Sequence, residues 1–245
     1  MADDFLSSIQ QLDARVGDLE IKLPFLVRDA RIIGIYFTAP VRKIRKLLPG
    51  KDFSPVQILP GISMVQLTAY EFHDTDIGPY NDFSVVIQLN SPRYAKIPVY
   101  NFLKSNSSNE RYNFLLHRGA NSEEAVRVCK DHFHFPEFLA SIEFSESDDW
   151  LTCEVKEGED LICRLRGRKI PTQRSDIVKF SISTPEHQQA QPAEINFKRY
   201  GFSRNSSDAE LTLGLSHPIA RELSETIIST KPRVYVYASS CQFIL

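Results

Sequence analysis

The chain has 245 residues with 29 basic and 31 acidic side chains, and its formal net charge of −2 provides no field to gather nucleic acid or an anionic membrane. A content of 42% hydrophobic and 24% charged residues suits a globular protein with one large core, and 16 Phe with 9 Tyr favour sheet. No apolar run approaches the roughly 20 residues of a spanning helix, and the acidic start MADDFLSSIQQLDARV is unlike a signal peptide, which predicts a cytoplasmic protein.

Asp3 and Asp4 ahead of Phe5, Leu6, Ile9 and Leu12 predict a short peripheral helix within residues 1–19. Residues 20–28 read as extended, and RIIGIYFT (31–38) as a buried strand. Pro40 opens a helix with Val41, Ile44, Leu47 and Leu48 at helical spacing, stopped by Pro49 and Gly50. Its other face, Arg42, Lys43, Arg45 and Lys46, reads as a solvated surface, because no aromatic platform accompanies it. ISMVQLTAYEF and FSVVIQL are strands, and the polar stretch 73–82 between them reads as a loop that walls a site.

Residues 99–103 and 111–118 look like a hairpin across KSNSSNE. Asn121 and Glu124 form a capping box for a helix that aligns Ala125, Val128 and Cys129. Residues 138–144, 149–155 and 160–166 continue as a meander, and DIVKFSIS, EINFKRYGF and AELTLGL add three strands. Pro218 starts a helix carrying Ile219, Ala220, Leu223 and Ile227, before a closing strand, RVYVYASSCQFIL. About ten strands and four short helices, joined by short turns, predict a single α+β domain over 1–245, mainly antiparallel. That many strands tend to curl or close around a lined cavity.

Cys129, Cys153, Cys163 and Cys241 lack CxxC spacing, so they read as buried thiols; a facing Cys153–Cys163 pair across the Gly158 hairpin is the less favoured alternative. No phosphate-binding Gly-rich loop or nucleophile elbow is present. The segment KDHFHFPEF (130–138) lies where helix passes into sheet, a place where sites are commonly built. His132 and His134 share one side of an extended segment and with Glu137 or His117 make a metal set, but nothing fixes a third ligand and structural histidines are favoured. Glu137 and Asp82 are the candidate acid and base, weighed against a surface or arginine-paired Glu137.

Taken in order, several segments resemble the acetoacetate decarboxylase family. They are Val41 to Pro49, Gly78 to Asp82, Glu124 to Asp131, Phe135 with Pro136, and the C-terminal Leu211, Leu213, Leu215, His217, Pro218, Ala220 and Leu223 with the strand Val234 to Tyr237. The resemblance implies a double-sheet, cone-like β barrel with a few peripheral helices, a small-molecule pocket and a homo-oligomer; no cofactor or metal is expected. Members of that family form a Schiff base on a lysine whose pKa is lowered by a neighbouring lysine. At the matching positions this chain has Glu137 and Phe138, and Asp82 falls where the family has a functional glutamate.

The resemblance thus implies a small carboxylate or keto-acid ligand held without Schiff-base decarboxylation, with Glu137 and Asp82 as catalytic candidates. Arg28, Arg31, Tyr80, Lys130, Phe135 and Phe138 are the ligand-binding candidates. Alternatives are a divergent lyase or isomerase using carboxylate acid-base chemistry, or an interaction scaffold whose pocket is filled by Phe133, Phe135 and Phe138. Phe138, Ala140, Ile142 and Phe144 share a face that is expected to point into the container, so Glu137 faces inward only through an irregularity at Pro136. Glu137 is expected at the pocket, kept ionised by Arg28, Arg31 or Lys130.

Overall fold

The computed structural model describes residues 5–93, 97–185 and 190–245. Its first elements are β1 (Leu12–Val16), β2 (Leu19–Leu23) and β3 (Leu26–Pro40), followed by α1 (Val41–Leu47). Next come β4 (Ile62–Thr75), β5 (Tyr80–Leu89), α2 (Tyr100–Ser108), β6 (Glu110–Ala120), α3 (Glu123–Asp131) and β7 (Glu137–Leu139). The second half holds β8 (Ser141–Ser147), β9 (Trp150–Glu157), β10 (Asp160–Arg168), β11 (Arg174–Ser183), β12 (Gln191–Ser203), β13 (Ala209–Leu213), α4 (Pro218–Thr226) and β14 (Val234–Ile244). None of the described helices is long and apolar enough to cross a membrane.

Seven strands close a barrel in the order β11-β12-β14-β3-β4-β5-β6, and all neighbours are antiparallel except β6 and β11, which close it in parallel. The outer edge of β6 is shared. Residues Glu110 to Phe114 pair with β11, whereas Arg118 to Ala120 pair in parallel with the extra strand β7. The hydroxyl of Thr184, just past β11, donates to the carbonyl of His134 at 3.0 Å, tying together the two segments that divide this edge.

A second antiparallel sheet, β13-β10-β9-β8, covers the outside of the barrel. Between the two sheets Ile33, Ile35, Leu67, Val85 and Phe114 meet Ile142, Leu151, Cys153, Val155 and Leu165, forming the larger core. A second core uses the inward faces of the barrel together with α3 and the β1–β2 hairpin, including Val16, Ile21, Phe72, Val128 and Phe243. The architecture is the α+β, mainly antiparallel barrel expected from the sequence, and α1, α3 and α4 lie where their periodicity places them.

The local differences have identifiable causes. The N-terminal stretch is not a helix: Asp3 and Asp4 lie outside the described residues, Phe5–Ser8 form turns, and Gly17 at φ 62° reverses the chain between β1 and β2. Burial of Val16 and Ile21 against the barrel outweighs the helical spacing of four residues. Residues 100–108 form α2 instead of a strand, ended by Asn109 in the left-handed region at φ 52° and by the Arg111 guanidinium on the Ser105 carbonyl. The expected loop 73–82 shrinks to a tight turn with Gly78 at φ 87°, because β4 runs to Thr75 and β5 begins at Tyr80. Ser122, not Asn121, caps α3, accepting from the Ala125 amide at 3.3 Å, while Asn121 accepts the Asn81 amide at 2.7 Å. Cys153 and Cys163 are buried free thiols two residues out of register, Cys163 facing Val155 and Cys153 facing Leu165.

The two sheets come close where Gly167 of β10 faces Tyr235 of β14, whose hydroxyl donates to the Arg168 carbonyl at 2.8 Å. A Cβ on Gly167 would lie 2.5 Å from the Tyr235 ring. Gly167→Ala is therefore expected to destabilise the protein by about 1–3 kcal/mol in urea titration, as overpacking does. A smaller loss in a Tyr235→Leu background is expected, because the two side chains compete for one space; equal losses in both backgrounds contradict this account.

Candidate functional site

The barrel encloses a cavity of about 120 Å³. Its wall is largely apolar; Gln66, Thr68 and Tyr70 of β4, Ser84 of β5 and Asn113 and Arg118 of β6 supply most of its polar side chains. Cross-strand register aligns several of them. Gly34, Thr68, Ser84, Arg118 and Glu137 are successive partners across β3, β4, β5, β6 and β7, so they form one row along the inner wall.

Arg118 is the only cationic residue on this wall among the described residues, and it is 8% exposed. Asp82, fully buried, accepts the Arg118 Nε hydrogen on Oδ2 at 2.8 Å, with Nη2 2.6 Å from the same oxygen. Glu137 Oε2 lies 3.1 Å from Arg118 Nε. That nitrogen has one hydrogen, and Asp82 takes it. Neither Glu137 oxygen nor Asp82 Oδ1 has a hydrogen-bond partner of acceptable geometry among the described residues. Behind the guanidinium, Phe135 places its ring centroid 5.0 Å from Cζ and stacks on Phe133 at 5.5 Å.

Two buried carboxyls thus share one cation. Burial pushes the Asp82 carboxyl up to about 6 in spite of Arg118. Burial pushes Glu137 well above the ordinary carboxylate range; Arg118 opposes this and the charge of Asp82 adds to it. Burial also works against the charge of Arg118, but Asp82, Cys129 and Glu137 hold the guanidinium well above its usual value. The Cys129 thiol and the Tyr80 phenol, both buried beside the cluster, are raised as well, chiefly by burial. A proton is therefore held more tightly by this pair than by ordinary carboxyls, and Glu137 is the more strongly raised of the two because Asp82 has the closer contacts with Arg118.

Glu137 faces inward because of Pro136. The Glu137 amide donates to the Phe135 carbonyl at 2.8 Å, a three-residue turn centred on the proline, and β7 starts there. Strand alternation then sends Phe138 the other way, into the core between the sheets, where Ala140 and Ile142 follow. The Phe138 face therefore packs under the second sheet and does not enter the cavity, contrary to the expectation. Phe133 and Phe135 pack between α3 and the barrel, so the three phenylalanines leave the cavity open.

The pairing expected for Glu137 also differs. Arg28 binds Asp76 at 2.6 Å and Asp74 at 3.7 Å at the β4–β5 turn. Arg31 binds Glu71 and Glu146, each at 2.5 Å, on the outer face of β3. Lys130 is exposed on α3 and contributes least among the named influences on Glu137. Glu137 is thus not paired with these residues, and burial raises its carboxyl instead of leaving it in the ordinary range. The structure brings Glu137, Asp82, Tyr80 and Phe135 together around Arg118, yet none of them lines the cavity. Arg118 does, and sequence reasoning missed it. Its signal was a lone arginine ending the apolar run FLLHR, next to an outward His117 that pairs with Glu222 at 2.7 Å. His132, His134, Glu137 and His117 are not assembled as a ligand set, and no group of three such side chains occurs among the described residues.

A profile of the acetoacetate decarboxylase family matches residues 17–236. The chain belongs to the acetoacetate decarboxylase family. Among solved structures, the Legionella pneumophila acetoacetate decarboxylase aligns over 90% of this chain and 84% of its own, with 14% identity and a TM-score of 0.63. The enduracididine biosynthesis enzyme MppR in complex with pyruvate aligns over 90% and 87%, with 7% identity and a TM-score of 0.55. An acetoacetate decarboxylase-like enzyme from Sphingomonas wittichii aligns over 90% and 88%, with 10% identity and a TM-score of 0.51. At these identities the likeness is one of fold. No curated protein sequence matches the chain.

The raised carboxyls give this family member a definite pH signature. Both bind a proton more tightly in the folded than in the unfolded chain, so their contribution to stability is complete below the ordinary carboxylate range. It is lost as pH rises, first through about 6 for Asp82 and then through the higher range of Glu137. Glu137→Gln, which mimics the protonated form, is expected to match the wild type at about pH 4 and to exceed it by about 1–3 kcal/mol at about pH 8. Urea titrations at both values measure this, and a difference independent of pH would show that Glu137 does not titrate as described.

Proposed function

We propose that this member of the family binds a small carboxylate or keto acid in the barrel cavity, with Arg118 receiving the carboxylate, and that it does so without Schiff-base decarboxylation. The observation that carries this reading is the identity of the cation on the cavity wall. Arg118 is a guanidinium whose Nε and Nη2 turn to Asp82 while its Nη1 meets no carboxylate of the described residues, suited to the fork geometry of a carboxylate, and it stays charged at any ordinary pH. An imine requires a neutral amine. No described lysine is buried, and none lines the cavity.

Glu137 and Asp82 stand behind the guanidinium, so the role proposed for them is to hold and charge-balance Arg118 instead of exchanging protons with the ligand. The pyruvate complex of MppR supports keto acids as the ligand class within this fold. Burial of all four free cysteines agrees with a reducing cytoplasm, and a homo-oligomer is expected on family grounds.

Borohydride reduction with acetoacetate or pyruvate tests the chemistry. The intact mass is expected to remain that of the unmodified chain, and an adduct mapped to any lysine would overturn the reading. Ligand-observed NMR with the same acids tests binding and is expected to show signal attenuation that excess unlabelled competitor reverses.

A further inference from the structure

The cluster at the cavity is short of positive charge before any ligand arrives. Arg118 supplies one cation against the two carboxyls of Asp82 and Glu137, so the three groups together carry one negative charge when all are ionised. Three carboxyl oxygens, Asp82 Oδ1 and both of Glu137, are buried with no hydrogen-bond donor among the described residues. An ionised carboxylate only accepts, whereas a protonated one brings a donor of its own. A proton on Glu137 would therefore remove the excess charge and supply one of the missing donors.

The surroundings leave few other places for that proton. The groups that bear on Glu137 are Arg118 of β6, Asp82 and the Tyr80 phenol of β5, and the Cys129 thiol and Lys130 of α3, with Lys130 exposed. The Tyr70 phenol of β4 bears on Asp82 and Arg118. Burial pushes the thiol and both phenols up, so they stay neutral through the physiological range, and Arg118 stays charged. Of the buried groups, only the two carboxyls are left to change charge. In the segment before Glu137, His132 is half-buried, His134 is exposed, and the influence of His134 falls on His132.

We infer that this site takes up its ligand carboxylate together with one proton, which is held on Glu137. The inference rests on the carboxylate-binding reading above and adds a proton as the second ligand. The ligand enters as a monoanion, the Glu137 carboxylate accepts a proton from solvent, and no other bond forms or breaks. The buried site then carries one negative charge with the ligand, as it does without it, so binding adds no net charge to the interior. Seating an anion on Arg118 without the proton would place a third carboxylate on one cation. An anion close to Glu137 also favours its neutral form. By reciprocity, a ligand that raises the affinity of Glu137 for a proton binds more tightly at low pH and more weakly as pH rises.

Isothermal titration calorimetry with pyruvate, in pairs of buffers that differ in heat of protonation, counts the protons taken up. About half to one proton per ligand is expected at about pH 8, with affinity falling at least about tenfold between about pH 6 and pH 9. Acetate, with fewer heavy atoms, is titrated in parallel to separate size from charge. Pyruvamide, the uncharged counterpart of pyruvate, is expected to show no uptake and no such fall. Glu137→Gln, which cannot accept the proton, is expected to bind pyruvate equally at both ends of the range with no uptake, its fold being checked by thermal melting.

Acid bound with no proton uptake and unchanged affinity across the range would overturn the coupling and leave the carboxylate reading standing. Uptake persisting in folded Glu137→Gln would assign the proton to another group and overturn the role of Glu137. The same pH profile with pyruvamide would trace the effect to a change in the protein independent of ligand charge, which also overturns the coupling. If the variant does not fold, the wild-type proton count and the pyruvamide comparison still decide. No binding of pyruvate or acetate at any of these pH values would remove both readings.

Discussion

One guanidinium serving two carboxyls is the constraint on which the interior of this protein depends. Moving each ion out of water costs several kcal/mol even after relaxation, and a single cation cannot compensate two anions at contact distance. Burial accordingly raises both carboxyls, Glu137 well above its ordinary range, while Asp82 makes the closest contacts with Arg118. The three groups come from β5, β6 and β7, so their encounter also fixes the register of these strands. A slip of one residue in β6 would turn Arg118 outward and bring His117 in, leaving both carboxyls without a cation.

The shared edge of β6 is what makes the cluster possible. Had β11 followed β6 along its whole length, no third strand could have approached Arg118 from that side. Because β11 pairs only as far as Phe114, the short β7 finds a free edge opposite Arg118, and the turn at Pro136 aims Glu137 at it. This is the segment where the sequence resemblance sets Glu137 against a catalytic lysine. A lysine amine can lose its proton and attack a carbonyl, whereas a carboxyl and an arginine cannot. The same backbone position thus serves, on the proposed reading, to set charge instead of forming a bond.

Much of the architecture was legible because long strands alternate clearly and α1, α3 and α4 carry start and stop signals. Short segments were not, since four apolar residues fit a helix, a turn or a strand equally well until tertiary burial decides, as at Leu12–Val16 and Tyr100–Ser108. The site failed for a different reason. Alternation correctly separated Glu137 from Phe138, Ala140 and Ile142, but it could not say which side was the container, because the outer side of the barrel is itself buried under a second sheet. Where both faces of a strand are covered, the polar–apolar contrast that identifies the interior disappears. Arg118 was hidden by the same effect, as a charge at the end of a run that reads as wholly buried. Arg28 and Arg31, by contrast, attracted notice through their position in the sequence, and each is engaged by acids away from the cavity, Asp76 and Glu71.

The division of labour between the two cores bears on why the cavity persists. The larger core lies between the sheets and contains most of the fully buried large side chains of β3, β4 and β5, so the barrel wall is held from outside. Its interior need not be filled to keep the strands in place. An apolar void still has a cost, about 24 cal/mol per Å³, which for a cavity of about 120 Å³ comes to roughly 3 kcal/mol when dry. That is a substantial fraction of the 5–15 kcal/mol by which domains are stable. An alanine at position 34 would remove part of that cost without a steric penalty, since its Cβ meets nothing closer than 3.7 Å. A cavity that is costly, easily filled, and fitted with a charged group whose balance engages three strands is what the proposed ligand-binding reading requires.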